Sequence, residues 1–196
     1  MSAVLDVSKP TPLRLFGFIF TALGGLLIAL GSISDWATVV FLGQTFRDSA
    51  TPGIDLAEGK VALGLGVLML VVIVALRIAR TTGARRLLAT GICLAAVAAI
   101  TLAVFDIVRA DDRFGGYAVD KLAEQLAATS GLSLPQARND VETYIEQKGS
   151  IDIGMGLWLV LGGGGLGLVG GLLDLAWVGQ QRLRAAGEDQ EPASPS

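Results

Sequence analysis

Four stretches of this chain carry almost no charge, and each is long enough to cross a lipid bilayer. They span residues 15–33, 61–79, 87–108 and 153–178. A helix rises 1.5 Å per residue, so about 20 residues cover a hydrocarbon core of about 30 Å. None of the four contains proline. Lipid offers backbone amides no hydrogen-bond partner, so each stretch must satisfy its own amides as a helix. The predicted fold class is therefore an all-α membrane protein, a four-transmembrane-helix antiparallel bundle. Composition agrees: 52% of residues are hydrophobic and 17% charged, where a soluble domain carries about 25% charged residues. The first stretch follows Lys9 and Arg14, and Ser32-Ile33-Ser34 could pass for a cleavage site. Its apolar run is longer than the roughly 7–15 residues of a signal peptide, so it reads as a span.

Charge in the short segments predicts the orientation. The turn at 80–86, with Arg77 just before it, carries Arg77, Arg80, Arg85 and Arg86 and no acid. The leader at 1–14 adds Lys9 and Arg14, and the tail at 179–196 adds Arg182 and Arg184. By the positive-inside rule these segments face the cytoplasm of a bacterial inner membrane, with both termini inside. Acids outnumber bases in the two longer loops, 34–60 and 109–152, which then lie outside. Trp36 and Trp158 fall near outer helix ends and Trp177 near an inner one, as expected of an interfacial aromatic belt. The end of the tail, from Ala185 to Ser196, is rich in small and acidic residues and is expected to be disordered.

Both outer loops carry folding signals. In the first, Asp35 to Leu42 and Gln44 to Arg47 are rich in β-branched and aromatic residues between Gly and Pro, which predicts a short β-hairpin. In the second, Val119, Leu122, Ala123 and Leu126 recur at helical spacing between Tyr117 and Ala128, and Gly131 ends the run. Ser133 followed by Pro135 starts another helix, running to about Gln147 and burying Ala137, Val141, Tyr144 and Ile145. This loop is predicted to be a helical hairpin lying over the bundle.

Lipid is as apolar as Leu, so membrane helices associate through close contact at small residues. Rows at every fourth position offer such seams: Gly17, Thr21, Gly25 and Ala29 in the first span; Gly91, Ala95, Ala99 and Ala103 in the third; Gly163, Gly167 and Gly171 in the fourth. These seams would close the bundle or dock a partner. Bulky replacement at Gly163 or Gly167 is expected to do one of two things, collapse the fold or detach the partner. The run Gly162 to Gly165 is no phosphate loop, because it lies mid-span with no Lys-Ser/Thr after it. Two acids lie within spans. Asp106 is expected to be hydrated or paired with Arg109, and Asp174 to form an intramembrane charge pair with Arg77, which approaches the same depth.

Catalytic and metal chemistry has little to work with. The chain has no histidine, and its single cysteine, Cys93, lies in an apolar run. No intramolecular disulfide, His/Cys metal site or usual general base can be assembled. No cofactor is expected, and a net charge of −3 without a basic stripe argues against nucleic acid.

Arg outnumbers Lys by eleven to four, a bias typical of GC-rich bacterial genomes. Asp35-Trp36-Ala37 leaves the first helix, Gly43-Gln44-Thr45-Phe46 follows, and Arg77 to Arg86 makes an arginine-rich turn. In this layout the whole chain resembles the small four-helix membrane proteins of actinobacteria. Among them it is similar to the accessory subunit that associates with mycobacterial Mce lipid importers. That resemblance implies a non-enzymatic role in assembling a lipid (fatty acid) import machine, with permease or lipid-transport subunits and membrane lipids as partners. It carries over no catalytic or ligand residue. The alternatives are a small oligomeric transporter or channel and, third, a membrane enzyme.

Overall fold

A computed structural model of the chain describes residues 12–41 and 44–188. The leader to residue 11, the Leu42-Gly43 turn and the tail from residue 189 lie outside the described residues. Four helices are long and apolar enough to cross a membrane: α1 (Pro12–Ile33), α2 (Ala57–Ile78), α3 (Thr82–Val108) and α6 (Met155–Glu188). Outside this set lie α4 (Ala110–Ser130), α5 (Leu134–Lys148) and a small sheet of β1 (Asp35–Phe41), β2 (Gln44–Pro52) and β3 (Gly149–Ile153). The helical membrane class stands as expected.

The buried positions of all four long helices alternate in steps of three and four. On α2 they are Gly59, Ala62, Gly66, Met69, Ile73 and Leu76. On α3 they include Ala89, Ile92, Ala96, Ala99, Ala103 and Asp106. On α1 the line is Gly17, Thr21, Gly24, Ile28 and Gly31, and on α6 it is Gly156, Val160, Gly163, Gly167, Gly170 and Asp174. A mean step of 3.5 residues is the repeat of helices that pack at a shallow left-handed angle, and most membrane bundles have it. α1 and α3 each pack on both α2 and α6, so the four helices form a closed ring.

The α1–α6 contact brings backbone against backbone. A Cβ added at Gly24 would come within 2.6 Å of the Gly163 carbonyl oxygen, and one at Gly31 within 2.6 Å of the Gly156 carbonyl oxygen. Gly25 serves a different neighbour, since a Cβ there would meet the Gly66 carbonyl oxygen of α2 at 3.0 Å. The every-fourth-residue row expected on α1 thus divides: Gly17 and Thr21 face α6, while Gly25 faces α2. On α6, Gly163 faces α1, Gly167 lies against Gly24 of α1 and Met69 of α2, and Gly171 faces Cys93 of α3. Ala95 and Ala99 are buried on α3, but a Cβ at Gly91 would meet nothing within 4 Å, so it makes no close helix contact within the bundle.

The sheet has order β2-β1-β3, with both pairings antiparallel. β3 is an addition to the expected hairpin. Its residues Gly149 to Ile153 pair with β1 from Phe41 back to Ala37. A lone hairpin is marginally stable, and a third strand backed by a helix supplies what it lacks. That helix is α4, which touches all three strands, and Lys121 Nζ donates to the Ala50 carbonyl at 3.0 Å. α4 starts at Ala110, seven residues before the expected Tyr117, because Arg109 alone interrupts the path from α3. Gly131 closes α4 in the left-handed region (φ 74°), donating its N–H to the Ala127 carbonyl at 3.1 Å. Ser133 precedes α5 as expected, and its hydroxyl donates to Gln136 Oε1 at 2.9 Å. Tyr144, expected on the buried stripe, is exposed, while Ala137 is fully buried.

Three further expectations need correction. Trp36 is no interfacial belt residue: it is fully buried, and its Nε1 donates to the Gly31 carbonyl at 2.9 Å. The β1–β2 register shifts between Asp35 and Ala37, the step that contains Trp36, and again between Ala37 and Val39. Helix α6 starts two residues after the expected Ile153, since β3 claims that residue. At its far end α6 continues through Glu188, so residues 185–188 are helical where disorder was expected.

Candidate functional site

Asp174 lies on the bundle-facing line of α6 and is 2% exposed. Gly17 of α1 makes room for it, because a Cβ there would fall 2.8 Å from Asp174 Oδ1. Its Oδ2 has no hydrogen-bond partner among the described residues, and neither has Oγ1 of the fully buried Thr21, one turn along the same face of α1. Cys93 of α3 packs against Gly171 of the same helical turn as Asp174. These three polar side chains therefore come from three helices onto one level of the bundle interior.

Arginines collect beside this level. Arg77 at the end of α2 donates from Nη2 to the Arg14 carbonyl at 3.0 Å and lies over the Phe18 ring at 4.5 Å. Arg14 lies 5.1 Å and Arg85 5.3 Å from the centroid of the Trp177 ring. Arg85 Nε also donates to the Ala79 carbonyl at 2.9 Å in the α2–α3 connector. The expected contact pair between Arg77 and Asp174 does not form: the guanidinium spends its near donor on Arg14 and its face on Phe18. Asp174 feels Arg77 and Arg14 only through space. A buried carboxylate without a contact counter-charge costs several kcal/mol in effective desolvation. We therefore expect Asp174→Asn to melt higher than wild type in detergent, by roughly 1–2 kcal/mol of stability. A lower melting point would mean that Asp174 holds a cation whose loss the amide cannot make good.

The second acid, Asp106, closes the buried line of α3 at the opposite end, where the sheet lies. It is 1% exposed, and Arg109 lies over Phe105 at 4.6 Å. Asp106 lines a cavity of about 290 Å³ with Leu56, Glu58 and Phe114. Glu58 was not legible as its neighbour, since 48 residues separate them and only the packing of α2 on α3 brings them together. Among the described residues no cluster of three or more His, Cys, Asp or Glu side chains has metal-site geometry. No family model matches this sequence, and no curated protein matches it either. The resemblance to actinobacterial four-helix proteins accordingly rests on the residues quoted for it alone.

Proposed function

We propose that this chain is a non-enzymatic accessory or assembly subunit of a larger cell-envelope membrane complex, most concretely a lipid (fatty acid) import machine of the Mce type. In this reading it lies in the bacterial inner membrane with both termini in the cytoplasm, and the sheet with α4 and α5 faces outward. The observation that carries the reading is the way the outer module is fixed to the bundle. Trp36 reaches from β1 to the last turn of α1, and the Gly154 N–H donates to the Trp36 carbonyl at 2.8 Å where β3 leads into α6. A module held this way keeps a constant position above the bilayer, as a docking platform requires; a freely hinged loop would lose more entropy on binding. Gly162 and Gly165 on α6 have open space around them, so a partner helix could approach there as closely as α1 does on the opposite face.

The test is a pull-down of the tagged chain from its native membrane in a gentle detergent, read by mass spectrometry. Stoichiometric recovery with permease and substrate-binding subunits is the expected result. One observation favours a second reading, a small oligomeric transporter: Asp174 is a buried acid at membrane depth, a placement common in ion pathways. Recovery of the chain as a homo-oligomer alone would favour that reading over the first.

A further inference from the structure

We propose that Arg14, Arg77 and Arg85 form a binding site for the phosphate of an anionic phospholipid, in the leaflet that meets the α2–α3 connector. The three arginines come from α1, α2 and α3: Arg14 and Arg85 both lie over Trp177 of α6, and Arg77 reaches the backbone carbonyl of Arg14. Among the described residues no carboxylate forms an ion pair with any of them. Arg14 and Arg77 repel each other, Asp174 offsets this only through space, and an anion seated among the arginines would supply a counter-charge in contact.

The chemistry of the side chains suits an oxyanion. Arg14 and Arg85 lie over the Trp177 ring, and Arg77 lies over Phe18. A ring contact uses no N–H donor, so apart from the Arg77 Nη2 and Arg85 Nε bonds to backbone carbonyls the guanidinium donors remain for phosphate oxygens. The ring also fixes the two arginines without consuming those donors. Arg85 lies in the first turn of α3, with Arg86 directly after it, where the helix dipole disfavours cations. That position is unfavourable for the helix alone and favourable once an anion sits against both the arginines and the helix start.

The position relative to the apolar surface points to a lipid. Arg14 directly precedes Leu15 and Phe16, which are 47% and 52% exposed. Arg77 directly precedes Ile78, which is 72% exposed, and Arg85 lies two residues before Leu87, which is 75% exposed. All three charges therefore stand at the border where the exposed apolar faces of their helices begin. A phosphate held there leaves its acyl chains running along Ile78, Val74 and Val71 of α2 and Leu87 and Leu94 of α3, all exposed. Basic pockets between membrane helices recognise lipid headgroups in this way.

The experiment uses the full chain purified in an uncharged detergent. Phosphatidylglycerol and phosphatidylcholine with the same acyl chains are added at matched concentration, and retained lipid is counted by native mass spectrometry. Arg14→Gln, Arg85→Gln and Arg138→Gln are compared with wild type, the last removing an exposed cation that pairs with Asp120 in the outer module. Wild type is expected to retain phosphatidylglycerol about tenfold better, with Arg14→Gln and Arg85→Gln each losing roughly fivefold and Arg138→Gln losing nothing. Because the arginines also hold structure, melting temperatures are read alongside: phosphatidylglycerol should raise that of wild type and fail to raise that of Arg85→Gln. Equal retention of the two lipids would overturn the site, as would undiminished preference in both Arg14→Gln and Arg85→Gln. Inorganic phosphate alone, at millimolar concentration, is expected to leave the melting temperature unchanged. Stabilisation by it equal to that by phosphatidylglycerol would identify a free phosphate as the ligand and overturn the lipid assignment.

Discussion

Gly163→Ala should lower the stability of the bundle by about 3 kcal/mol, the upper range for forcing a methyl group into a filled core. A Cβ at position 163 would stand 2.7 Å from the Gly24 carbonyl oxygen and 2.9 Å from the Ile28 amide nitrogen. Both obstacles are backbone, so neither can rotate aside, and α1 and α6 must separate along their whole contact. That separation also loosens the matching approach at Gly31 and Gly156 and the seat of Asp174 against Gly17. Gly167→Ala is the informative neighbour. The atom closest to its Cβ is the terminal methyl of Met69, the far end of a flexible side chain. Met can swing into another rotamer, so this substitution should cost nearer about 1 kcal/mol. Gly91→Ala meets nothing within 4 Å and should melt no lower than wild type; alanine favours the helix by up to about 1 kcal/mol. Thermal unfolding in detergent, followed by circular dichroism, ranks the three. Equal losses for Gly163→Ala and Gly91→Ala would remove the α1–α6 backbone contact as the element that holds the bundle.

The same contrast explains how far the fold could be read from the residues. Length and apolarity located four helices to within a few residues at most ends, because bilayer thickness admits few alternatives. The contacting faces were read less well, for a reason of period. Rows taken at every fourth residue drift off a left-handed interface, which returns every 3.5 residues. Gly17 and Thr21 lie on both patterns, whereas Gly24 and Gly31 appear only on the second. On α3 the fourfold row placed Gly91 on the seam, and the alternating row passes through Ile92 and Ala96 instead. Gly66 and Gly156 sit on the alternating lines of α2 and α6, so the signal was present in the spacing of small residues.

Strand β3 was less accessible. Gly149-Ser150-Ile151-Asp152-Ile153 is too short to be called a strand by its own pattern, and it becomes one because β1 has an unpaired edge beside it. Long-range pairing of this kind leaves a weak local trace. The functional residues divide along the same line. Asp174 stood out as a charge within an apolar run, and its burial follows from its place on the α6 contact line. Its relation to Arg77 depended on where a long side chain turns, and the Arg14 carbonyl and the Phe18 ring drew that guanidinium away. The grouping of Arg14, Arg85 and Trp177 spans three helices and could be seen only once their ends were placed together.

Trp36→Ala carries the other large expected effect, a loss of about 3–5 kcal/mol with the module of sheet, α4 and α5 set free from the bundle. The ring is fully buried, packed where Gly53 and Gly156 leave room for it: a Cβ at Gly156 would lie 2.6 Å from its Cδ1, and one at Gly53 would collide with its Nε1. Removing it empties a space walled by backbone from α1, the turn before α2 and the start of α6, and such walls collapse poorly. Trp36→Phe separates two contributions, since it retains most of the apolar volume and deletes the Nε1–H bond to the Gly31 carbonyl. That bond sits out of water, so its loss adds about 1 kcal/mol beyond the missing volume. The readouts differ in kind. Melting in detergent reports the loss of stability, and limited proteolysis reports whether the α4–α5 hairpin is cut faster while the membrane helices stay intact. We expect both to change in Trp36→Ala and only the melting point to change appreciably in Trp36→Phe. A Trp36→Ala protein that melts within about 1 kcal/mol of wild type and resists protease equally would mean that β3 and α4 hold the module by themselves. The module would then still be fixed, though not through Trp36, and the anchoring role given to that side chain would fall.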